Sequence, residues 1–308
     1  MSDLHVAVDD YLKLRRALGH KLAQHDRLLH DFVEFLNARG AVTITTVLAV
    51  EWASGPAGTQ PRWWAIRLNA VRMFAKHRQA TDPATEVPPA DQFPGSSRRV
   101  EPFIYTDTQI RALLAAAGRI PTPLKAATYE TLIGLLAVTG MRVGEAIGLD
   151  RTDLDPDSRV LTIRDAKFGK TRHVPLHPST IDALVDYGHL RDATLGAARG
   201  EALFVSTVGT RIVYNNLHNM FRRLTRTAGI TARSERCYPR IHCLRHTFAV
   251  KTLTGWYRDG LNIDARVHLL STYLGHADPA STYWYLEATP ELLGFAADRL
   301  DTAAGVLS

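Results

Sequence analysis

The sequence predicts a mainly helical protein with a small antiparallel sheet, built as an all-helical first domain followed by an α+β domain. Three observations carry this. Helix-period apolar patterning fills the first 80 or so residues; a proline-rich break follows at Thr81–Pro102; and one pair of short alternating segments, RVLTIRD and TRHVPLH, interrupts the helical pattern downstream. A chain of 308 residues exceeds the usual size of one domain and accommodates two.

In the first domain, helices are expected at Val6–Gly19, His25–Arg39, Thr46–Ala53 and Pro61–Gln79, with Gly19 and Gly40 at their stops. The break, TDPATEVPPADQFPGSSRRVEP, holds five of the fifteen prolines and little apolar periodicity. The expected division is 1–84 for the helical domain, 85–102 for a linker and 103–308 for the second domain. That second domain opens at Thr106-Asp-Thr-Gln, a capping pattern for a helix over Thr106–Ala117, and continues with an apolar helix over Leu124–Val138 ended by Thr139-Gly140. Arg159–Asp165 and Thr171–His177 then flank the turn AKFGK as an antiparallel hairpin. Helices return at Ser179–Ala193, Tyr214–Ala228, Ile241–Tyr257, Ala265–Leu274 and Pro290–Leu300. No internal repeat or low-complexity tract is present.

No apolar run approaches the ~18 residues of a membrane span, and the first residues, MSDLHVAVDDYLK, lack the pattern of a secretory signal. Only Cys237 and Cys243 occur, so a disulfide framework is not expected and a reducing cytoplasm is. The formal charge of +6 favours polyanionic partners. The bias concentrates between Trp52 and Thr81, where Arg62, Arg67, Arg72, Lys76 and Arg78 occur without any acid. At ~100° per residue, Trp63, Ile66, Ala70, Met73 and Phe74 share one stripe of that helix and the five cations flank it. They are the candidate DNA-binding residues; an ordinary solvated helix face is the plainer alternative.

Candidate chemistry lies in the second half. Arg142 in TGMRVGEAIGL follows a glycine break and precedes a short helix; His242 and Arg245 in HCLRH are three apart and share a helical face; Lys167 sits at the hairpin tip. Each alone reads more readily as surface or packing than as chemistry. A metal site from Cys237, His242, Cys243 and His246 lacks the usual Cys-x2–4-Cys spacing. In LGHADPASTYWYLE, Tyr283 and Tyr285 point about 200° apart if helical, so they cannot both serve one site.

Taken in order, these pieces resemble the tyrosine recombinase family, the phage-integrase-like enzymes. The pattern is T-G-x-R-x-x-E (Thr139 to Arg142, with Glu145), a hairpin lysine (Lys167), H-x-x-R (His242, Arg245), L-G-H (Leu274-Gly275-His276) and a tyrosine nine residues beyond that histidine, Tyr285. The resemblance covers Thr106 to about Ala297, and the helical first domain looks like the family's core-binding domain. It implies cutting and rejoining of DNA through a covalent 3′-phosphotyrosyl intermediate. Tyr285 is then the nucleophile, Arg142 and Arg245 clamp the phosphate, Lys167 protonates the leaving 5′ oxygen, His242 assists proton movement, His276 adds a hydrogen bond, and Glu145 braces Arg142. No metal or other cofactor is implied. The implied partners are double-stranded DNA with inverted-repeat core sites and a homo-tetramer on two such sites, assembled through the tail Glu287–Ser308, or with that tail docked on its own chain. Helices expected from Val6 leave no room for an additional N-terminal arm-binding domain. The implied role is integration or excision of a mobile element in a bacterial or phage cytoplasm. The alternatives are Xer-like resolution of chromosome or plasmid dimers, a catalytically inactive DNA-binding relative, or a type IB topoisomerase, which the L-G-H and hairpin-lysine context disfavours.

Overall fold

The computed structural model of the chain describes residues 3–20, 22–55, 58–93, 101–164, 171–196, 200–276, 278, 280–287 and 294. The chain divides into two compact units, Met1–Arg99 and Val100–Ser308.

The first unit contains α1 (Asp3–Ala17), α2 (Ala23–Asn37), α3 (Thr46–Ser54) and α4 (Pro61–Arg78). Thr45 caps α3 by accepting a hydrogen bond from the Leu48 amide at 3.3 Å, and Pro61 begins α4, where a missing N–H costs nothing. Val8, Leu12, Leu29, Phe32, Leu36, Val71 and Phe74 are fully or almost fully buried at its centre.

The described start of the expected linker, 85–93, packs on the first unit. Thr85 is 1% exposed, the Glu86 amide donates to the Ile44 carbonyl at 2.8 Å, and Phe93 sets its ring edge-on to Trp64 at 5.6 Å. The prolines forbid a helix, yet Val87 and Phe93 still bury their apolar area as an extended strap. The inward face of α4 is also rotated from the expected stripe. Ile66 is exposed, while Arg67 is buried with Leu68, Ala70, Val71, Phe74 and Ala75. The Arg67 guanidinium lies over the Trp52 ring, 3.7 Å from its centroid, and donates to the Trp52 carbonyl at 2.8 Å. It snorkels along the interior, so its charge is directed at the first unit's own core.

In the second unit come α5 (Asp107–Gly118), α6 (Pro123–Thr139), α7 (Val143–Gly148), β1 (Leu154–Asp155), β2 (Val160–Ile163), β3 (Arg172–Pro175), α8 (Pro178–Leu195), α9 (Tyr214–Thr227), α10 (Cys243–Arg258), α11 (Val267–Leu274) and α12 (Ala280–Tyr283), then a 3-10 turn over Trp284–Glu287. The expected capping box is present: Thr106 accepts from the Gln109 amide and Gln109 from the Thr106 amide, at 3.1 and 3.0 Å. β2 pairs antiparallel with both β1 and β3, with Ile163 opposite Arg172 where the hairpin opens. The main core gathers Phe103, Tyr105, Leu132, Leu136, Phe204 and Phe221. A smaller cluster, Ala249, Val250, Leu253, Ile263, Leu270, Leu274 and Tyr285, seats the last helices on α10. Helix α6 ends at Gly140 with φ +60°, where an added Cβ would stand 2.5 Å from the Phe248 ring. That turn lets the backbone reverse against α10 and carry Arg142 beyond it.

Candidate active site

The site is organised around the C-terminal end of α11. A helix end leaves its last carbonyls without intrahelical donors and carries partial negative charge. Here the His276 and Gly275 amides return to the Ser271 and Thr272 carbonyls at 3.0 and 2.9 Å. The next three carbonyls each receive a guanidinium from elsewhere in the fold. Arg172 donates to Tyr273 at 3.0 Å, Arg245 to Leu274 at 2.8 Å and Arg142 to Gly275 at 2.6 Å. Arg245, 3% exposed, also donates to the Gly140 carbonyl at 2.8 Å, tying the α6 end to the α11 end.

Glu145 lies on α7 between two of these cations. One carboxylate oxygen accepts from the Arg142 Nη1 at 2.8 Å and from Arg172 at 3.0 Å; the other accepts from the Arg142 amide and from Arg172, both at 2.8 Å. Burial pushes this carboxyl up, but the hydrogen bonds of Arg172 and Arg142 and the Arg172 charge outweigh it and hold the group below its ordinary value. Glu145 is therefore ionised and occupied. Of the five N–H bonds of Arg142, two are engaged by Glu145 and Gly275 among the described residues, leaving three to meet an oxyanion.

Tyr285 is 3% exposed, whereas Tyr283 is 46% exposed. Burial raises the pKa of the Tyr285 hydroxyl above its ordinary value, and the charges of Arg245 and then Arg142 offset part of the rise. Three aromatic rings lie against it, His276 at 6.1 Å, His246 at 5.5 Å and Trp284 at 5.3 Å, and His242 stands one step further, edge-on to His246 at 4.8 Å. His276 Nδ1 shares a 2.6 Å hydrogen bond with the fully buried Thr282 hydroxyl, which orients the ring. His276 is pushed down to about 4 and His246 to about 3, by burial first and then by surrounding cations and, for His246, by His242. His242 stands at the start of α10 with its outer side in solvent; the protein packed beneath it lowers its pKa, and Arg245, Arg240 and Arg142 lower it further. Arg245 is pushed down to about 10 by burial and remains a cation at neutral pH.

The structure thus brings Arg142, Glu145, Arg245, His242, His276 and Tyr285 to one place. Lys167 lies outside the described residues; the flanking strands, β2 and β3, end at Ile163 and begin at Arg172. Of the first-unit cations, Arg62 and Lys76 are exposed and Arg72 half-buried beside Asn69, but Arg67 is buried and Arg78 is paired with Asp3 and Asp82. Two features escaped the sequence reading. Arg172 sits in a plain strand pattern, with no local mark of its long-range partners. Helix α9 exposes Arg222, Arg223 and Arg226 opposite the buried Leu217, Phe221 and Leu224; a count of cations on its polar face would have singled it out.

A buried tyrosine beside two guanidinia that meet at one helix end, on this helical fold with a three-stranded sheet, is the arrangement of a tyrosine-type site-specific DNA recombinase. The chain belongs to the phage integrase family, whose model matches residues 104–291. It is 42% identical to the putative integrase/recombinase y4rB of Sinorhizobium fredii over 307 residues, covering 98% of each chain. It is 29% identical to the tyrosine recombinase XerD of Mycobacterium tuberculosis over 302 residues, 92% of each. Among solved structures it is similar in fold to the Tn1549 transposon integrase in complex with a circular intermediate DNA, with a TM-score of 0.64 and 18% identity over 97% of this chain and 100% of that one. A lambda integrase tetramer bound to a Holliday junction gives a TM-score of 0.58 and 20% identity over 92% of this chain and 78% of that one.

Proposed function

We propose that the chain exchanges DNA strands at inverted-repeat sites of a mobile element, with Tyr285 as the nucleophile. The observation that carries the catalytic assignment is the burial of Tyr285 beside the His276 and His246 rings, with Arg142 and Arg245 gathered on the carbonyls that immediately precede His276. The cations that would hold the scissile phosphate also act on the attacking oxygen, so the nucleophile and target share one electrostatic anchor. Attack of the Tyr285 oxygen on phosphorus forms the 3′-phosphotyrosyl ester and breaks the bond to the 5′ oxygen. Lys167 delivers the proton to that oxygen, and His242 accepts or relays the tyrosine proton. Arg142 and Arg245 neutralise the non-bridging oxygens as permanently charged, fork-shaped donors. His276, neutral in its buried setting, contributes a hydrogen bond rather than a charge. Religation runs the same steps in reverse.

Duplex contacts come from Arg62, Arg72 and Lys76 of α4 and from the exposed cations of α9. Arg67 and Arg78 leave the set because their charges are engaged within the first unit. The putative integrase/recombinase relative supports the mobile-element setting; the XerD similarity supports dimer resolution as the second reading. In either setting the working form is a homo-tetramer on two sites, with the tail after Glu287 exchanged between neighbours.

The test uses a nicked suicide duplex carrying the sequence that the Tyr285→Phe protein selects from a random duplex pool. The wild type forms a covalent adduct on a denaturing gel, and Tyr285→Phe binds with similar affinity but forms none. Adduct retained by Tyr285→Phe and lost by Tyr283→Phe would reverse the assignment.

A further inference from the structure

Arg172 belongs to none of the motif positions, yet it makes three hydrogen bonds at the centre of the site. Its fork spans both oxygens of Glu145, at 3.0 and 2.8 Å, and its Nε donates to the Tyr273 carbonyl at 3.0 Å. Three of its five N–H bonds are thus taken up inside the protein, and its side chain is 13% exposed. It is turned away from any role as a phosphate ligand. The backbone of Gly275 has closed on it: a Cβ there would stand 2.7 Å from Nη1 and 2.9 Å from Cζ.

These contacts join three separate pieces of chain. Arg172 opens β3, Glu145 lies on α7 beside Arg142, and Tyr273 lies in the last turn of α11 beside the carbonyls that hold Arg142 and Arg245. Arg142 is restrained from two sides, by Glu145 and by the Gly275 carbonyl. Both restraints are in turn held to one another by Arg172. Without it, the carboxylate would keep Arg142 as its sole cation, and the α11 end could shift relative to α7.

We propose that Arg172 is a positioning residue for DNA cleavage, setting the aim of Arg142 by locking Glu145 to the end of α11. The inference rests on the reading above that Arg142 holds the scissile phosphate. The role requires a planar fork. A lysine at 172 supplies the charge but cannot span both carboxylate oxygens and the Tyr273 carbonyl together. Because a displacement on the order of 1 Å in a reacting geometry costs about 10²-fold in rate, the loss should appear in the chemical step rather than in DNA affinity.

The experiment measures single-turnover cleavage of the suicide duplex described above, with affinity and melting temperature recorded for each full-length variant. Arg172→Lys and Arg172→Ala should each slow cleavage by about 10–100-fold while binding the duplex within about twofold of wild type. In the Arg142→Ala background, adding Arg172→Ala should produce no further slowing, since its effect passes through Arg142. A purely structural role would slow the double variant additively and would overturn the proposal. So would an Arg172→Lys protein that cleaves at the wild-type rate, a result that decides the matter even if Arg172→Ala does not fold. If Arg142→Ala itself cleaves normally, the phosphate-clamp reading fails and this inference with it. If Arg142→Ala is slow while both Arg172 variants are normal, the positioning role alone fails.

Discussion

Replacing Gly275 by alanine tests the packing of the site directly, because two penalties arise there that can be separated by a control. The residue has φ +68°, and an L-residue in that left-handed conformation costs about 1–2 kcal/mol. Gly229, at φ +66° just after α9, has nothing within 4 Å of a built Cβ, so Gly229→Ala should show that conformational cost alone. At Gly275 the new methyl would lie 2.7 Å from the Arg172 Nη1, and the guanidinium cannot swing aside without giving up hydrogen bonds to Glu145 and Tyr273. Loss of one such charge-assisted bond adds about 1.5–3 kcal/mol, giving a total of about 2.5–5 kcal/mol. At roughly 3 °C per kcal/mol for a unit of this size, the second unit's transition in calorimetry should fall by about 3–6 °C for Gly229→Ala and about 8–15 °C for Gly275→Ala. In the Arg172→Ala background, where the clash is gone, Gly275→Ala should cost only the conformational penalty seen at Gly229. A Gly275→Ala protein that melts with Gly229→Ala, or a Gly275→Ala loss that is as large without Arg172 as with it, would refute the clash.

Stability should also depend on pH through the buried histidines. His276 and His246 are held near 4 and 3, below their ordinary 6.5, so the unfolded chain binds more protons than the folded one between those values. Stability is complete above about pH 6.5 and declines as pH falls toward the folded values, and His246→Gln should show a shallower decline in melting temperature from pH 6.5 to 4.5; an unchanged slope would count against burial of a neutral ring. In the first unit, Arg67→Ala should lower the melting temperature by removing the Trp52 contacts, with no change in the salt dependence of DNA binding. Lys76→Ala should leave the fold intact and reduce the slope of log affinity against log salt by roughly 0.9, measured by fluorescence anisotropy. Cleavage should continue in excess EDTA, since Arg142 and Arg245 provide the positive charge at phosphorus; abolition by chelator with rescue by one added metal would contradict this.

Much of the molecule could be read from residues close together in the chain. The capping box at Thr106–Gln109, the hairpin strands, the glycine stop at Gly140 and the longer helices among the described residues each depend on contacts within a few residues, and local sequence specifies local contacts; the expected helix Pro290–Leu300 lies outside the described residues. The motif order was legible for the same reason: T-G-x-R-x-x-E, H-x-x-R and L-G-H are short segments, and Arg142 with Glu145 is a pair three residues apart. Helix period alone did not set the rotation of α4, because an arginine carries enough apolar stem to lie inward when an indole and a carbonyl receive its head. Nor did proline content separate a linker from a strap, since Val87 and Phe93 bury area whether or not the chain between them is regular. The three guanidinia meeting three successive carbonyls at the end of α11 were decided only by tertiary structure. Arg172 reaches Glu145 across 27 residues and Tyr273 across 101, and a hydrogen bond over such a separation leaves no periodic trace in a single sequence. It exists because a buried helix end must find donors, and the fold brings three arginines from distant segments to supply them.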